Sequence, residues 1–221
     1  MRLFICFFWL LASFGTATAV PQDEAAKVQT SYFPESPQQF GFDLFYVPIH
    51  YPKYSWVNNE AREENGNAVH LGLEWMPFDT TYGKIGFGLG TGLHVIKNVN
   101  FGGTNATLTV VPVQTFVSYR FDYVKKQIVV PFLKVGTELA LAKQKGIEKD
   151  GYQTYYGWEY SGGLEFCLNS IDQRSARSLD RSLGINATYL IFEYAKSAQL
   201  GARREPDLSH DELRFGLRFE I

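Results

Sequence analysis

Apolar and polar side chains alternate without interruption over residues 211–221. One parity carries Leu213, Phe215, Leu217, Phe219 and Ile221, and the other carries Glu212, Arg214, Gly216, Arg218 and Glu220. Because successive side chains of a strand point to opposite faces, this segment predicts a strand with one apolar face and one charged face. Such a strand is typical of the wall of a transmembrane β-barrel, where lipid contacts the outside and the lumen is polar.

The same period of two recurs from residue 40 onward and predicts eight strands. They are Phe40–Val47, Asn67–Met76, Gly83–Ile96, Thr107–Phe121, Ile128–Leu141, Tyr155–Leu168, Ile185–Ala195 and Asp211–Ile221. The predicted connections alternate between longer loops (48–66, 97–106, 142–154, 196–210) and shorter turns (77–82, 122–127). Transmembrane barrels keep their short turns on the periplasmic side. We therefore predict an all-β fold, an eight-stranded antiparallel transmembrane β-barrel over residues 40–221, with both termini in the periplasm.

The connection 169–184 departs from this alternation because it is longer than a tight turn. Asp172 is a suitable helix N-cap, and Gly184 is a suitable residue after the helix end. Ile171, Ser175, Leu179 and Leu183 are spaced four apart and would share a face. We predict one short periplasmic helix that plugs or caps the base of the barrel.

The residues before the predicted barrel do not alternate between apolar and polar side chains. Arg2, the apolar run Leu3–Phe14 and the Ala-Thr-Ala ending at Ala19 predict a signal peptide over residues 1–19. Residues 20–39 are polar, contain three prolines and predict a flexible leader. Because Cys6 would leave with the signal peptide, Cys167 would be the only remaining thiol, and no intramolecular disulfide is expected.

Composition narrows the class of function. Aromatic residues make up 16% of the chain, glycine occurs 20 times, and the formal net charge is −2. A chain with this charge has no electrostatic basis for binding nucleic acid. No later segment approaches the eighteen uninterrupted apolar residues that a transmembrane helix needs.

On each strand, the set of alternate residues without charge is assigned to the face that contacts lipid. The other set, which contains the charged residues, then lies inside the barrel. The inward set contains Glu74, Glu138, Glu159, Glu165, Glu193, Glu212 and Glu220, facing Arg120, Lys134, Arg214 and Arg218. Buried charges persist only when they are paired, so we predict a network of salt bridges that fills the lumen. The stripe Gly86–Gly92, with glycine at every second position, leaves room for Arg120, Lys134 or lumen glutamates to cross. Pro112 conflicts with a central strand, and predicts a bulge or an earlier loop.

The histidines are the strongest candidates for chemistry. His50, His70, His94 and His210 all fall in the extracellular half of the predicted barrel. His70 and His94 point inward from neighbouring strands, near the rim, with Glu74 below His70. A metal site or an acid–base pair is one interpretation. We favour the other, in which a polar lumen uses histidine as it uses Gln and Glu, because no tight ligand spacing is present.

No nucleophile pairs with these histidines in the predicted register. Ser118 and Ser161 point inward well below them, whereas a nucleophile needs its base within hydrogen-bond distance. We therefore assign no catalytic, cofactor-binding or metal-binding residue, and expect no cofactor.

Several stretches resemble a family of uncharacterised outer-membrane β-barrel proteins of Gram-negative bacteria, of myxobacterial type and similar to small OmpA-, OmpX- and OmpW-like barrels. They are I-G-F-G-L-G-T-G-L (85–93), V-P-V…V-S-Y-R-F-D-Y (111–123), V-P-F-L-K-V-G (130–136), L-N-S-I-D…G-I-N-A-T-Y-L-I-F-E-Y (168–194) and D-L-S-H-D-E-L-R-F-G-L-R-F-E-I (207–221). The resemblance implies a barrel in the outer membrane. It implies no activity, because the family has no assigned chemistry.

We expect a non-enzymatic barrel with a filled, charged lumen and a structural or surface-interaction role in the cell envelope. Its expected partners are outer-membrane lipids and lipopolysaccharide, the barrel-assembly machinery through the C-terminal strand, and another envelope protein. Two alternatives stay open: a narrow channel for small solutes and an outer-membrane lipid-modifying enzyme.

Overall fold

The computed structural model describes residues 39–54, 62–101, 104–124, 127–145, 151–200 and 208–221. The predicted signal peptide and the leader up to residue 38 lie outside these residues. The strands are β1 Phe40–Tyr54, β2 Arg62–Thr80, β3 Gly83–Phe101, β4 Thr104–Arg120, β5 Val129–Lys145, β6 Gly151–Cys167, β7 Ala187–Gln199 and β8 His210–Glu220. A 3-10 turn, Leu168–Ser170, and helix α1, Gln173–Leu183, lie between β6 and β7.

The eight strands form one closed antiparallel barrel, which confirms the predicted fold class. Each strand pairs with its neighbours in the chain, and β8 closes the sheet by pairing with β1 from Gly41↔Glu220 to His50↔Asp211. The backbone N–H of Ile221 donates to the carbonyl of Phe40 over 3.0 Å. Since β1 begins where β8 ends, we call this end of the barrel the terminal end and the opposite end the loop end.

The predicted alternation of loop lengths is wrong. At the loop end, β1 and β2 extend to Tyr54 and Arg62, and β3 and β4 extend to Phe101 and Thr104. Much of the predicted loops 48–66, 97–106 and 142–154 therefore belongs to strands. A transmembrane strand needs only about 9–11 residues, so the ladder continues beyond the length that a bilayer requires.

The predicted assignment of faces is confirmed by burial. Outward side chains of the central strand segments are apolar and exposed, among them Leu73, Leu89, Leu133 and Leu139. A belt of exposed apolar side chains this extensive is stable only when something other than water covers it. The wall of the barrel therefore has the outer surface of a transmembrane β-barrel. Within the described residues, no helix is both long and apolar enough to cross a membrane.

Helix α1 is capped as predicted but does not plug the barrel. The Asp172 carboxylate accepts hydrogen bonds from the backbone N–H groups of Arg174 and Ser175, and Gly184 adopts φ 69°. Ala176 is buried, whereas Ile171 and Leu183 are 81% and 64% exposed. The helix therefore lies outside the lumen, and the predicted face of four-spaced residues is not its packing face.

Pro112 causes neither the predicted bulge nor an early end of β4. Pro112 pairs with Ala140 of β5, and the register between β3 and β4 is the same at Thr91↔Val113 and His94↔Val110. The hydroxyl of Thr91 donates to the Pro112 carbonyl over 3.0 Å. The strand thus tolerates the missing N–H without a shift of register.

An apolar layer fills the lumen at the loop end, which the sequence analysis did not predict. This layer, the apolar plug, consists of the buried residues Val47, Ile49, Ala68, Ile96, Leu108, Val110, Ala140, Ala142 and Leu208. All of them except Leu208, which precedes β8, lie on the inward parity of their strands. The lumen therefore has charged side chains toward the terminal end and a layer of aliphatic side chains toward the loop end.

Candidate functional site

Two arginines organise the charged lumen at the terminal end. Arg218 places Nη2 2.6 Å from Glu74 Oε2 and Nη1 3.5 Å from Asp43 Oδ1. Arg120 donates to Glu220 and, over 2.5 Å, to Glu165. Because the planar guanidinium has five donors, each arginine can serve several carboxylates at once. We call these six residues, Asp43, Glu74, Arg120, Glu165, Arg218 and Glu220, the arginine network.

Lys134 and Arg214 continue the network toward the loop end. Lys134 Nζ lies 2.9 Å from Glu193 Oε2, and Arg214 Nη1 lies 2.7 Å from the other oxygen of Glu193. Arg214 also contacts Glu159 at 2.9 Å, and its Nε donates to Glu212 Oε2 over 2.6 Å. The predicted salt-bridge network is confirmed, with Asp43 as a member that the predicted inward set lacked.

The glycine stripe of β3 makes room for side chains, of which only the glutamate was predicted. A Cβ at Gly86 would lie 2.3 Å from Glu74 Oε1, and one at Gly88 would lie 2.1 Å from the Phe116 ring. A Cβ at Gly92 would lie 2.4 Å from Cδ2 of His70. The stripe therefore admits a lumen glutamate as predicted, together with a phenyl ring and an imidazole, but neither Arg120 nor Lys134.

Three histidines and one carboxylate meet between the arginine network and the apolar plug. His70 Nε2 and His94 Nε2 are 2.6 Å apart, and their rings stack with centroids 4.8 Å apart. Glu212 Oε1 lies 3.7 Å from each of these nitrogens and 2.9 Å from His210 Nε2. All four side chains are at least 97% buried. We call His70, His94, His210 and Glu212 the histidine cluster.

The outer ring nitrogens of this cluster are held by hydrogen bonds. His94 Nδ1 lies 2.8 Å from the hydroxyl of Tyr51, and His210 Nδ1 lies 2.9 Å from the carbonyl of Leu208. A carbonyl can only accept, so Nδ1 of His210 carries a proton. In the neutral ring, Nε2 of His210 then presents its lone pair to the cluster.

The histidine cluster combines residues that the sequence analysis named with residues that it missed. His70 and His94 come together as neighbouring strands require, but they are buried and not at the rim. Glu74 is not their partner, because its carboxylate is held by Ser118 and Arg218. Of the two candidate serines, Ser118 donates to Glu74, and Ser161 is buried below the histidines.

The sequence contained a signal for each of the missed residues. His210 lies on the same parity as Glu212 and Arg214, so extending β8 by one residue would have placed it inside the barrel. Tyr51 lies on the inward parity of β1, beyond the predicted end of that strand at Val47. The contact with Glu212 had no such signal, since it depends on how far strands are staggered around the barrel.

Comparisons with known structures identify the type of fold. The barrel is similar to Neisserial surface protein A, with a TM-score of 0.52 and 14% identity, covering 82% of this chain and 97% of that one. It is also similar to the outer membrane protein OprG from Pseudomonas aeruginosa, with a TM-score of 0.53 and 9% identity, covering 87% and 99%. The chain has the fold of these small eight-stranded outer-membrane β-barrels. No family model matches the chain, and no curated protein matches it.

Proposed function

We propose that this protein is a non-conducting, non-enzymatic barrel of the Gram-negative outer membrane, with a structural or surface-interaction role in the envelope. The observation that carries the proposal is that the lumen is filled along its length. Arg120 and Arg218 fill it with ion pairs at the terminal end, Phe45 and Phe132 are buried in its middle, and the apolar plug occupies the loop end. An eight-stranded barrel has an interior just wide enough for side chains to fill.

The proposal includes an orientation and a set of partners. Both termini face the periplasm, and the loop end faces outward. The apolar belt contacts outer-membrane lipids and lipopolysaccharide, and the apolar face of β8 is read by the barrel-assembly machinery. The connections at the loop end meet another envelope protein. Membership of a myxobacterial-type family remains part of this proposal and rests on the stretches quoted above.

The absence of conduction is tested directly in planar lipid bilayers. The full chain is refolded in detergent, and its folded state is verified by different migration of unheated and boiled samples on a gel. We expect insertion without steady single-channel openings, since ions would have to displace buried ion pairs and then cross an aliphatic layer. Reproducible openings of constant conductance would contradict the proposal and favour the channel.

The enzymatic alternative is tested by expressing the protein in a Gram-negative host and weighing its lipid A. We expect masses identical to those of the host with an empty vector. A mass shift that corresponds to the loss or gain of an acyl chain would overturn the non-enzymatic assignment.

A further inference from the structure

We propose that the histidine cluster binds one divalent transition-metal ion, with zinc as its natural occupant. The ligands are Nε2 of His70, Nε2 of His94 and Oε1 of Glu212, which lie close to one another. The fourth position is open to Nε2 of His210, which lies 2.9 Å from Glu212 Oε1. Imidazole nitrogens and a carboxylate oxygen are ligands that Zn²⁺ uses in proteins. This inference departs from the sequence analysis, which assigned the histidines to a polar lumen without a metal.

The spacing of the ligand atoms fits such an ion. Zinc–nitrogen bonds of about 2.0–2.1 Å in a tetrahedron place neighbouring ligand atoms ~3.3 Å apart. His70 Nε2 and His94 Nε2 are 2.6 Å apart, and each lies 3.7 Å from Glu212 Oε1. These three distances lie within an ångström of the tetrahedral value, on either side of it.

The two oxygens of Glu212 have different partners. Oε2 is paired with Arg214, whereas Oε1 contacts only imidazole nitrogens among the described ion pairs, with His210 Nε2 2.9 Å away. The Glu212 and His210 side chains are 1% and 2% exposed. A buried carboxylate oxygen needs a charged partner, and an imidazole supplies one only when it is protonated. A bound cation would supply a permanent charge to Oε1.

The hydrogen bonds around the cluster match the outer shell of a metal site. Metal-binding histidines almost always donate their second ring N–H to a carbonyl, carboxylate or other acceptor, which fixes the tautomer. His210 Nδ1 has the Leu208 carbonyl and His94 Nδ1 has the Tyr51 hydroxyl, at 2.9 and 2.8 Å. Glu212 is held through its other oxygen by Arg214. In each case the second nitrogen or oxygen of the side chain faces the centre of the cluster.

Charge also favours a cation. The described barrel buries eight carboxylates but only four guanidinium or ammonium groups. The carboxylates are those of Asp43, Glu74, Glu138, Glu159, Glu165, Glu193, Glu212 and Glu220. The cations are those of Arg120, Lys134, Arg214 and Arg218. Buried charges that are not paired are strongly destabilising. Glu138 adds to the excess near the cluster, with Oε2 3.9 Å from His210 Nε2. A divalent ion would reduce the imbalance where it is closest to the histidines.

The position of the cluster gives the ion a structural role. His70 and His94 belong to β2 and β3, whereas His210 and Glu212 belong to β8, which is separated from β2 by β1. An ion bound by all four would connect strands across the lumen, immediately beneath the apolar plug. The plug residues Ala68 of β2 and Ile96 of β3 each lie two residues nearer the loop end than the histidine of that strand. Leu208 lies two residues before His210, the first residue of β8.

The experiment refolds the full chain in detergent with Co²⁺, because the plug covers the cluster in the folded barrel. After removal of free metal, we expect one Co²⁺ per chain and the intense visible absorption of tetrahedral Co²⁺, which added Zn²⁺ during refolding abolishes. His70→Gln and His94→Gln are expected to lose this absorption. His50→Gln should retain it, since His50 bonds to Asn65 outside the lumen.

Tyr51→Phe removes only the partner of His94 Nδ1, and should weaken metal binding about 10–100-fold while one ion is still bound at saturation. Binding that survives in both His70→Gln and His94→Gln, or that is lost equally in His50→Gln, would overturn the proposal. If the lumen variants do not fold, the wild-type barrel alone decides. A folded chain that retains no Co²⁺, and whose unfolding temperature is the same with and without Zn²⁺, would refute the site.

Discussion

The arginine network and the histidine cluster occupy the same lumen but satisfy their carboxylates in different ways. In the arginine network, Arg218 and Arg120 each contact more than one carboxylate, at distances down to 2.6 and 2.5 Å. Their charge is permanent, and the fork geometry suits carboxylates. In the histidine cluster, Glu212 Oε1 faces three imidazole nitrogens, which carry a charge only when they are protonated.

This difference separates a structural interior from a candidate binding site. An arrangement of permanent countercharges needs no further component in order to be stable. The histidine cluster instead brings together a carboxylate and three imidazoles, which have no permanent charge and are typical metal ligands. The comparison predicts that perturbing the arginine network mainly changes stability, whereas perturbing the histidine cluster mainly changes what the barrel binds.

The largest effect is expected from Arg218→Leu. Removing this guanidinium leaves Asp43 and Glu74 buried without their main countercharge, and should lower the free energy of unfolding by about 3–5 kcal/mol. Urea unfolding in detergent micelles, followed by the loss of heat-modifiable migration, measures the effect.

His70→Leu should lower the free energy of unfolding by about 1–3 kcal/mol, as expected for a lost hydrogen bond and an unsatisfied partner.

Arg181→Leu is the matched control, since Arg181 is exposed on α1, and it should stay within about 0.5 kcal/mol of the wild type. The comparison fails if His70→Leu destabilises the barrel as much as Arg218→Leu does. That result would mean that the imidazole of His70 acts as an essential countercharge in the absence of metal.

The alternation of side chains determined much of the barrel in advance. The period of two in β8, from Glu212 to Glu220, was enough to assign an outer and an inner face, because a one-residue error would place charge in lipid. The same reasoning correctly placed Arg120 and Lys134 inside. It failed at strand ends, where β1 continues through Pro48 to Tyr54, because the inward side chain of Ile49 is apolar and the outward side chain of His50 is polar, the reverse of the pattern at the strand centre.

The membership of the histidine cluster was harder to predict than the faces. Sequence proximity suggested Glu74 as the carboxylate beside His70, since both lie inward on β2. The structure gives Glu74 to Arg218 and places Glu212 beside His70 instead. Contacts across a lumen depend on the tilt and stagger of all the strands, which are properties of the closed barrel and not of one segment.

A smaller effect is expected from alanine in the glycine stripe, which offers a matched pair. Gly92→Ala would place a Cβ 2.4 Å from Cδ2 of His70, whereas Gly90→Ala would place one 3.1 Å from Gln114 Oε1. Gly92→Ala should lower the free energy of unfolding by about 1–3 kcal/mol through overpacking, and should displace the His70 ring. The second should cost less, because the Gln114 amide can yield by a few tenths of an ångström.

Urea unfolding of both variants measures this difference, and Co²⁺ absorption after refolding reports on the His70 position. We expect Gly92→Ala to lose the absorption and Gly90→Ala to keep it. Equal stability of the two variants would show that the His70 ring is free to move, and would weaken the contrast between a packed lumen and a preorganised cluster.

The smallest effect is expected for Asp172, the N-cap of α1. Its carboxylate accepts hydrogen bonds at the surface of the protein, in contact with water, and not in the lumen. The hydroxyl and backbone N–H of Ser175, together with the N–H of Arg174, hold the pKa of Asp172 below its ordinary value of 3.8. Because this pKa is lowered by folding, the cap stabilises α1 fully above the ordinary carboxyl pKa. Its contribution is lost as the pH falls through the lowered pKa.

Amide hydrogen exchange of Arg174 and Ser175, measured by NMR in micelles, should therefore accelerate at acidic pH beyond the intrinsic change in rate. Asp172→Asn provides the control, because asparagine also caps a helix but carries no titrating group. Its protection should not vary over the same pH range, and barrel amides should be unaffected in both proteins. Identical pH profiles for the wild type and Asp172→Asn would show that the acid sensitivity of α1 arises from another group.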